Sequence, residues 1–504
     1  MKKISSALIS VWHKEGLLPI LEMLDALEVK LYSTGGTQAF IRDAGFEVTA
    51  VEEVTGYPSI FGGRVKTLHP SVMGGILFRR NNNDDLAEAG KYNIPPIDLV
   101  VVDLYPFRET VQEGKKDDEV IEKIDIGGIS LIRAAAKNFN DVVIIPDRNA
   151  YQLLHQILEE GGETTLETRR SLAATAFDVS SDYDSAIYRY FASELEIPSL
   201  KVSSRNPNPL RYGENPHQKG IFYGNSEEML IQLHGKAISY NNLLDIDAAV
   251  QLIAEFSEPT VAILKHNNAC GLASRDSLEE AWDRALEADP LSAYGGVIIV
   301  NQPVGQALAE KINQIFFEVI VAPDFTIEAL TILTTKKNRI ILRLNEGIEL
   351  SNPVRNVLNG YLVQDRDLST EELWDMRTVT GRTPDERELE DLAFANKIVK
   401  HTRSNAIVLA NGKQLIGSGT GQTSRIDAMK QAIEKARHFG LPIEGAVVAS
   451  DAFFPFPDNV ATAWEAGIRA VVQPGGSVKD QDSIDFCNEH DIAMVFTGIR
   501  HFKH

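Results

Sequence analysis

The sequence predicts an α/β protein: a parallel-sheet domain at the N-terminus, then a region in which strand and helix patterns alternate in two further blocks. Three observations carry this. From residue 4 to about 145, strand-like runs (ISSALISV, VKLYST, IDLVVVDLY, DVVIIP) alternate with helix-period segments (GLLPILEMLDAL, TQAFIRDAG, ISLIRAAAKNF), the pattern of a parallel sheet. A helical stretch follows from Tyr151 through SLAATAFDVSSDYDSAIYRYFASEL, and the proline-rich KVSSRNPNPLRYGENPHQ (201–218), without clear period, places the main boundary near residue 200. Beyond it, PTVAILKHNNACG and GGVIIVN form one block; AIVLANGKQLIGSG, GAVVASDAFF, IRAVVQPGG and DIAMVFTG form the other. Both blocks hold a Lys-His pair beside an asparagine, KHNNA at 265 and KHTRSNA at 400, a short echo of duplication.

The 504 residues, 43 % of them hydrophobic, suffice for two to four domains with cores of their own. A formal net charge of −21 excludes the broad basic surface that nucleic acids and anionic membranes require. The chain lacks a run of eighteen apolar residues, and MKKISSALISVWHKEGL lacks the apolar core of a secretory signal, so export and membrane insertion are not expected. Cys270 and Cys487 lie far apart without CxxC spacing, which points to neither a disulfide framework nor a zinc-thiolate site and fits a reducing cytoplasm. The charge is unevenly spread. Residues 54–83 contain no acid but hold Arg64, Lys66, Arg79 and Arg80; residues 392–426 contain none but hold Lys397, Lys400, Arg403, Lys413 and Arg425. Roughly four or five acids are expected in windows of that length, so these read as pockets for small anions, with buried turns and a few solvated cations as the alternative.

In LYSTGGTQAF (31–40) a strand runs through Ser-Thr-Gly-Gly-Thr into a helix, so hydroxyls and free N–H groups converge where a phosphate is stabilised; a simple N-cap turn is the alternative. Lys14, Arg64 and Lys66 add positive charge. A mononucleotide fits better than a dinucleotide, because GSGTGQ (417–422) misses the last glycine of GxGxxG, and no Walker A lysine motif occurs. DLYPF and IDIGGISLIRAAAKN supply Tyr105, Asp125 and Lys137, which either share one proton-transfer site or are a helix N-terminal acid and a solvated lysine. In ILKHNNACG (263–271), Lys265 and His266 end a strand at the edge where α/β sheets hold ligands. There an imidazole can accept a proton and an ammonium can stabilise developing negative charge, as attack by a weak amine on a carbonyl requires; a strand-end histidine capped by backbone is the alternative. His13-Lys14-Glu15 without a PCxxC partner gives no zinc-deaminase signature. SDAFFPFPDNV (450–460) either sandwiches a flat heterocycle or packs a core against a turn.

Together SVxxKxGL, STGGT, GGRVKTLHP, LYPF, IDIGGxxLxRAAAKN, RYGENPHQ, KHNNACG, SNAIV, GQTSRIDA, SDAFFPF and GIRHF resemble, in order and from residue 4 to the end, the bifunctional purine-biosynthesis family that joins AICAR transformylase to IMP cyclohydrolase. The resemblance implies a methylglyoxal-synthase-like cyclohydrolase domain over 1–200. It also implies a duplicated, cytidine-deaminase-like transformylase region over 201–504, with subdomains of about 201–365 and 366–504. It implies formyl transfer from 10-formyltetrahydrofolate, as co-substrate, to AICAR, giving FAICAR, and dehydrative closure of FAICAR to IMP. Zinc is not implied and a structural potassium is left open. A homodimer with transformylase sites shared between subunits is implied as well.

Carried onto this chain, the cyclohydrolase phosphate site takes Lys14, Ser33, Thr34, Gly36, Thr37, Arg64, Lys66 and Thr67, and Lys66, Tyr105, Asp125 and Lys137 surround the closing ring. In the transformylase, Arg211, Tyr212, Arg425 and Arg500 hold AICAR; His266 accepts the amine proton, Lys265 stabilises the oxyanion or protonates the leaving folate nitrogen, and Asn405 aligns the amine. Ile426, Phe453, Asp458 and Ser477 match folate-contact positions, and Glu318 stands where some members carry Asp. Two departures fall in the first domain. Trp12-His13 replaces a small residue and an aspartate, and Asp103 replaces an asparagine; a buried aspartate there weakens nucleotide binding unless it is protonated or hydrogen-bonded.

Overall fold

A five-stranded, all-parallel sheet organises Met1–Arg205, the first of two units; Asn206–His504 is the second. The computed structural model describes residues 1–196, 199–345, 347 and 351–504. The strands are β1 (Ser6–Val11), β2 (Lys30–Ser33), β3 (Thr49–Ala50), β4 (Leu99–Asp103) and β5 (Val143–Ile145), in spatial order β3-β2-β1-β4-β5. The runs SALISV and LVVVD are almost wholly buried, as strands covered on both faces must be. The winding reverses between β1 and β4, so a crevice opens at their carboxyl ends. Trp12 to Lys14 follow β1 there, Leu104 and Tyr105 follow β4, and Thr34 follows β2. Helix α1 (Leu17–Ala26) starts after Gly16, whose φ of 78° is left-handed, and α2 (Gly35–Asp43) starts from Thr34. Helix α3 (Ile126–Lys137) packs against the long α4 (Leu166–Phe191).

The second unit contains two six-stranded sheets of one design. The first has β6 (Leu230–His234), β7 (Thr260–Lys265), β8 (Asn268–Ser274), β9 (Val297–Val300), β10 (Val319–Ala322) and β11 (Ile340–Leu344), ordered β6-β11-β10-β9-β7-β8. The second has β12 (Arg377–Thr378), β13 (Ile407–Ala410), β14 (Leu415–Gly419), β15 (Val447–Ser450), β16 (Ala470–Gln473) and β17 (Ala493–Phe496), ordered β12-β17-β16-β15-β13-β14. Order and pairing sense match strand for strand, which is duplication at the level of topology. One continuous core joins the halves, with Ala262, Val297 and Val321 in the same cluster as Val447, Val472 and Val495. Helices α5 (Tyr240–Ile253) and α7 (Glu386–Lys400) contribute Ile246, Leu252, Leu392 and Ile398 to it. Helix α6 (Leu278–Ala288) packs on β8 as α8 (Arg425–His438) packs on β14. The edge strands β8 and β14 lie side by side, bridged at Ala273 and Gln414.

Two expectations change in this frame. The Lys-His echo is not a repeat: Lys265-His266 ends β7, whereas Lys400-His401 closes α7. The true counterpart of the KHNN turn is Asn411–Gln414, which joins β13 to β14. Nor does Lys265-His266 occupy the carboxyl edge of its own sheet. Strand β7 runs antiparallel to β9, with Leu264 opposite Val297, so the end of β7 lies beside the beginnings of the parallel strands. An apolar run carries no mark of its direction, and the edge rule holds only for parallel strands.

Candidate active sites

In the first unit the crevice is built from backbone anchors. The Thr37 hydroxyl donates to the Val11 carbonyl (2.9 Å) and accepts from the Val11 N–H (3.1 Å). Lys14 Nζ donates to the Trp12 carbonyl (2.9 Å), to the Thr37 hydroxyl (3.3 Å) and to the Val11 carbonyl. Burial lowers the Lys14 ammonium against the pull of Asp103 and Glu15. Ser33 turns its hydroxyl inward to the Ile9 carbonyl (2.7 Å). Thr34, by contrast, is buried with an unpartnered hydroxyl at the N-terminus of α2. Beside it Gly35 has φ 56°, a conformation side-chain-bearing residues rarely adopt, and a Cβ there would stand 2.7 Å from Lys66 Nζ, so a larger residue would push that ammonium off the helix start. Gly36 has open space around it. An unpartnered hydroxyl, a helix N-terminus and a free cation are together what an anion needs.

Asp125 caps α3, accepting from the Gly128 N–H at 2.6 Å, and its own N–H donates to the Tyr183 hydroxyl at 2.9 Å. Thr67 Oγ1 lies 2.8 Å from where a Gly127 Cβ would sit, which places it beside the same helix start. Burial pushes the Asp125 carboxyl above the usual carboxylate range, opposed by the Gly128 and Tyr105 N–H groups and by Lys66. Burial and then Asp125 push the Tyr105 phenol up as well. The structure therefore gathers Thr34, Gly35, Lys66, Thr67, Tyr105 and Asp125. Arg64 is exposed and pairs with Glu122. Lys137 is exposed in the last turn of the helix that Asp125 starts, about 18 Å away by helical rise, so one chain does not bring the two together. The departures Trp12, His13 and Asp103 pack as a set. His13 donates its N–H to Asp103 Oδ2 (2.8 Å) and brings Nδ1 within 2.7 Å of the same oxygen, so the aspartate is hydrogen-bonded. Trp12 lies 4.9 Å from the Tyr105 ring with Lys123 Nζ 4.1 Å above its own.

In the second unit the KHNN stretch is a two-residue hairpin: Lys265 pairs with Asn268 across His266 (φ 52°) and Asn267 (φ 65°). Two consecutive positive φ values are those of a type I′ turn, which holds the His266 side chain exposed at the tip. The Asn267 N–H donates to Asp245 (2.7 Å), and Lys265 Nζ donates to the Tyr294 carbonyl (2.8 Å). Burial raises the Asp245 carboxyl, with the Asn267 N–H and His266 opposing.

The tip meets the carboxyl edge of the other half, where Asn268 Oδ1 accepts from the Arg403 N–H at 3.0 Å. Two residues on, across a cis Ser404–Asn405 peptide, Asn405 donates to the Gln422 carbonyl (3.0 Å), and its Oδ1 accepts from Arg425 Nη1 (3.1 Å). Arg425 is buried, bonded to Ser450 (2.9 Å) and to Asp451 Oδ1 (2.5 Å), while Asp451 Oδ2 is unpartnered. Burial lowers the Arg425 guanidinium against the pull of Asp451. Because β15, β16 and β17 are parallel, the segments after them, with Phe453, Ser477 and Arg500, emerge on this same edge. Phe453 is partly exposed, Phe454 is core, and Asp458 and Ile426 begin helices. Glu318 pairs with Lys236 (2.5 Å) ahead of β10, and Arg211 and Tyr212 sit in the loop after Pro207–Pro209 with the guanidinium 5.5 Å from the ring.

Several groups at this edge escaped sequence reasoning. Lys400 (2.7 Å) and His401 (2.8 Å) both bond Glu255; burial works against that carboxylate, but these bonds and Thr370 bring it down to about 2. Lys413 bonds Glu258 (2.8 Å). The cations of an acid-free window thus draw acids from far along the chain. Among the described residues, Lys66 and Arg403 are the cations of the two acid-free windows that enter no ion pair, the others being paired.

Two α/β units, each presenting acid–base groups at a strand edge, make the chain a two-site enzyme. An MGS-like domain description matches residues 16–130, and the AICARFT/IMPCHase bienzyme description matches residues 135–435. The "Bifunctional purine biosynthesis protein PurH" of Bacteroides thetaiotaomicron is 59 % identical over 100 % of this chain and 99 % of its own. The proteins of that name from Aquifex aeolicus and Bacillus subtilis are 48 % and 45 % identical, over 99 % of this chain and 100 % of theirs. The chain belongs to the AICARFT/IMPCHase bienzyme family, bifunctional enzymes of purine biosynthesis.

Proposed function

We propose that residues 1–200 close FAICAR to IMP and that 201–504 form the FAICAR, by formyl transfer from 10-formyltetrahydrofolate to AICAR. In formyl transfer the 5-amino nitrogen of AICAR attacks the formyl carbon. His266 takes the amine proton and the Lys265 ammonium stabilises the oxyanion; as the C–N bond breaks, N10 of tetrahydrofolate leaves with a proton given by the Lys265 ammonium, which is restored by the proton His266 took. Asn405 and Arg425 orient AICAR, Arg211, Tyr212 and Arg500 add contacts, and Ile426, Phe453, Asp458, Ser477 and Glu318 serve the folate side. The observation that carries this is the Asn268–Arg403 bond, because it seats the Lys-His tip on the edge that holds Asn405. Purified protein given AICAR and 10-formyltetrahydrofolate should release tetrahydrofolate and form IMP; a protein that binds AICAR but yields neither product is a nucleotide sensor instead.

In ring closure the carboxamide nitrogen attacks the formyl carbon and water leaves. Lys14, Ser33, Thr34, Gly36, Thr37, Arg64 and Thr67 form the phosphate side, and Lys66, Tyr105 and Asp125 surround the ring. Lys137, out of reach within one chain, joins this set from a second copy. With the Asp125 carboxyl raised, its ionised fraction falls as pH drops through that raised value. The acid limb of the cyclohydrolase profile should therefore lie above the ordinary aspartate range. Asp125→Asn should remove the limb and cost roughly 10²–10⁴ in kcat; a limb unchanged in the variant would assign it to another group.

We further propose a cytoplasmic homodimer. Its support is the hairpin Val354–Val357/Gly360–Val363, a two-stranded sheet with Leu358, Tyr361, Leu362 and Val363 exposed, since such a hairpin is marginal in water and an apolar patch of this kind is normally covered. Leu362→Lys should give a monomer by light scattering and lose formyl transfer; a persistent dimer would place the interface elsewhere. Both cysteines are buried and free, their thiols pushed up to about 12 by burial, which suits a reducing compartment. Among the described residues no helix is long and apolar enough to cross a membrane. Nor do three or more His, Cys, Asp or Glu gather to hold a metal among them. A structural potassium is tested by comparing rates and melting in potassium and sodium.

A further inference from the structure

The chain ends on the transformylase edge, and the residue between two exposed ones is the buried one. Arg500 and Phe502 are exposed, whereas His501 is 2 % exposed. Its Nδ1 lies 2.6 Å from Asp367 Oδ2 and its Nε2 2.9 Å from Glu371 Oε2. A neutral imidazole has one N–H and can donate to only one of two carboxylates; donating to both requires the imidazolium. Glu371, itself buried, also accepts from Asn396 of α7 (2.7 Å) and has an unpartnered Oε1. The His501 N–H donates to the carbonyl of Asp451 (3.0 Å), the residue that holds Arg425. Further along, the Ser404 N–H donates to the Lys503 carbonyl (2.9 Å) and the Lys503 N–H to the Ser404 hydroxyl (3.0 Å), next to Asn405. The tail is thus tied both to the Arg425–Asp451 pair and to the loop that carries Asn405.

We propose that His501 is a positioning residue for formyl transfer: an imidazolium clamped between Asp367 and Glu371 that keeps Arg500 and Phe502 on the edge beside Asn405 and Arg425. It rests on the formyl-transfer reading and adds to it a residue that touches no substrate. The groups facing the ring are Asp367 and Glu371 on the segment before β12, and Asn396 reaches the same Glu371 oxygen from α7. Burial alone would lower the imidazole; the two carboxylates outweigh it and raise it. The charge is then held at neutral pH and lost as pH rises through the raised value, so the clamp loosens on the alkaline side.

The test compares wild type, His501→Gln and Asp367→Asn as full-length protein. Expected for His501→Gln are a KM for AICAR raised about tenfold with kcat moved less, equivalent to about 1.4 kcal/mol of binding, and ring-closure constants unchanged. Wild-type KM should climb on the alkaline side, climb at lower pH in Asp367→Asn, and become flat in His501→Gln. Carboxypeptidase should release tail residues faster from both variants, a readout independent of activity. Unchanged tail release, or a lowered melting temperature with KM and its pH profile unmoved, overturns the proposal. Faster tail release in a protein whose wild type forms no tetrahydrofolate overturns the formyl-transfer reading, and the role in that reaction with it. Asp367 is partly exposed, so its asparagine variant keeps the test decisive if His501→Gln fails to fold.

Discussion

Replacing His266 by alanine lowers tetrahydrofolate release by roughly 10²–10⁴-fold, the usual contribution of a general base, while supplied FAICAR is still closed to IMP. The 5-amino group of AICAR is a poor nucleophile because its lone pair is conjugated with the ring, so its proton must leave as the new bond forms. His266 stands exposed at the hairpin tip with its backbone fixed by the turn. Alanine is less tolerant than histidine of the left-handed φ that His266 adopts, which would mislead if the tip shifted. His266→Asn separates the two effects, because asparagine tolerates that conformation but accepts no proton at neutral pH. Equal losses in both variants support proton transfer. Activity restored by asparagine would reduce His266 to a turn residue.

Arg425→Leu is expected to destabilise the second unit by about 3–5 kcal/mol, the cost of leaving a buried partner charge unpaired, and to abolish formyl transfer. Asp451 is 1 % exposed and Arg425 is its one ion-pair partner among the described residues. The same guanidinium fixes Asn405 Oδ1 and Ser450, so stability and alignment fail together. Denaturant melts of Arg425→Leu and of Arg425→Leu with Asp451→Asn separate the causes. The second change should recover most of the stability and none of the activity; no recovery would mean that lost packing, not stranded charge, dominates.

The strand runs from ISSALISV to DIAMVFTG were legible because parallel and central strands are continuous apolar segments. The STGGT loop was legible because strand, glycine and helix start are consecutive. What failed was direction and distance. KHNN lacks the glycine that flags a hairpin, so the sequence showed neither the turn nor that the end of β7 lies away from the carboxyl edge of its own sheet. The spacing of Asp125 and Lys137 left a shared site and a separate helix cap and surface lysine equally open, and the rise of the helix between them puts Lys137 out of reach within one chain. The acidic partners Glu255 of Lys400 and His401, and Asp367 and Glu371 of His501, lie 130 to 146 residues away, beyond any window over which sequence is read.

The two halves of the second unit exchange hairpin tips. As Asn267 donates to Asp245, Gly412 (2.8 Å) and Lys413 (2.6 Å) donate to Asp391, and Lys413 accepts from Ser274 as Asn268 accepts from Arg403. Two identical halves would have owned two equal reaction edges. Here one edge keeps the Lys-His tip, and the other receives Gly-Lys and has become an ionic clasp at Glu258. Neither half inherits a working edge alone, so severing the chain between them should leave two silent fragments that regain formyl transfer only when made together.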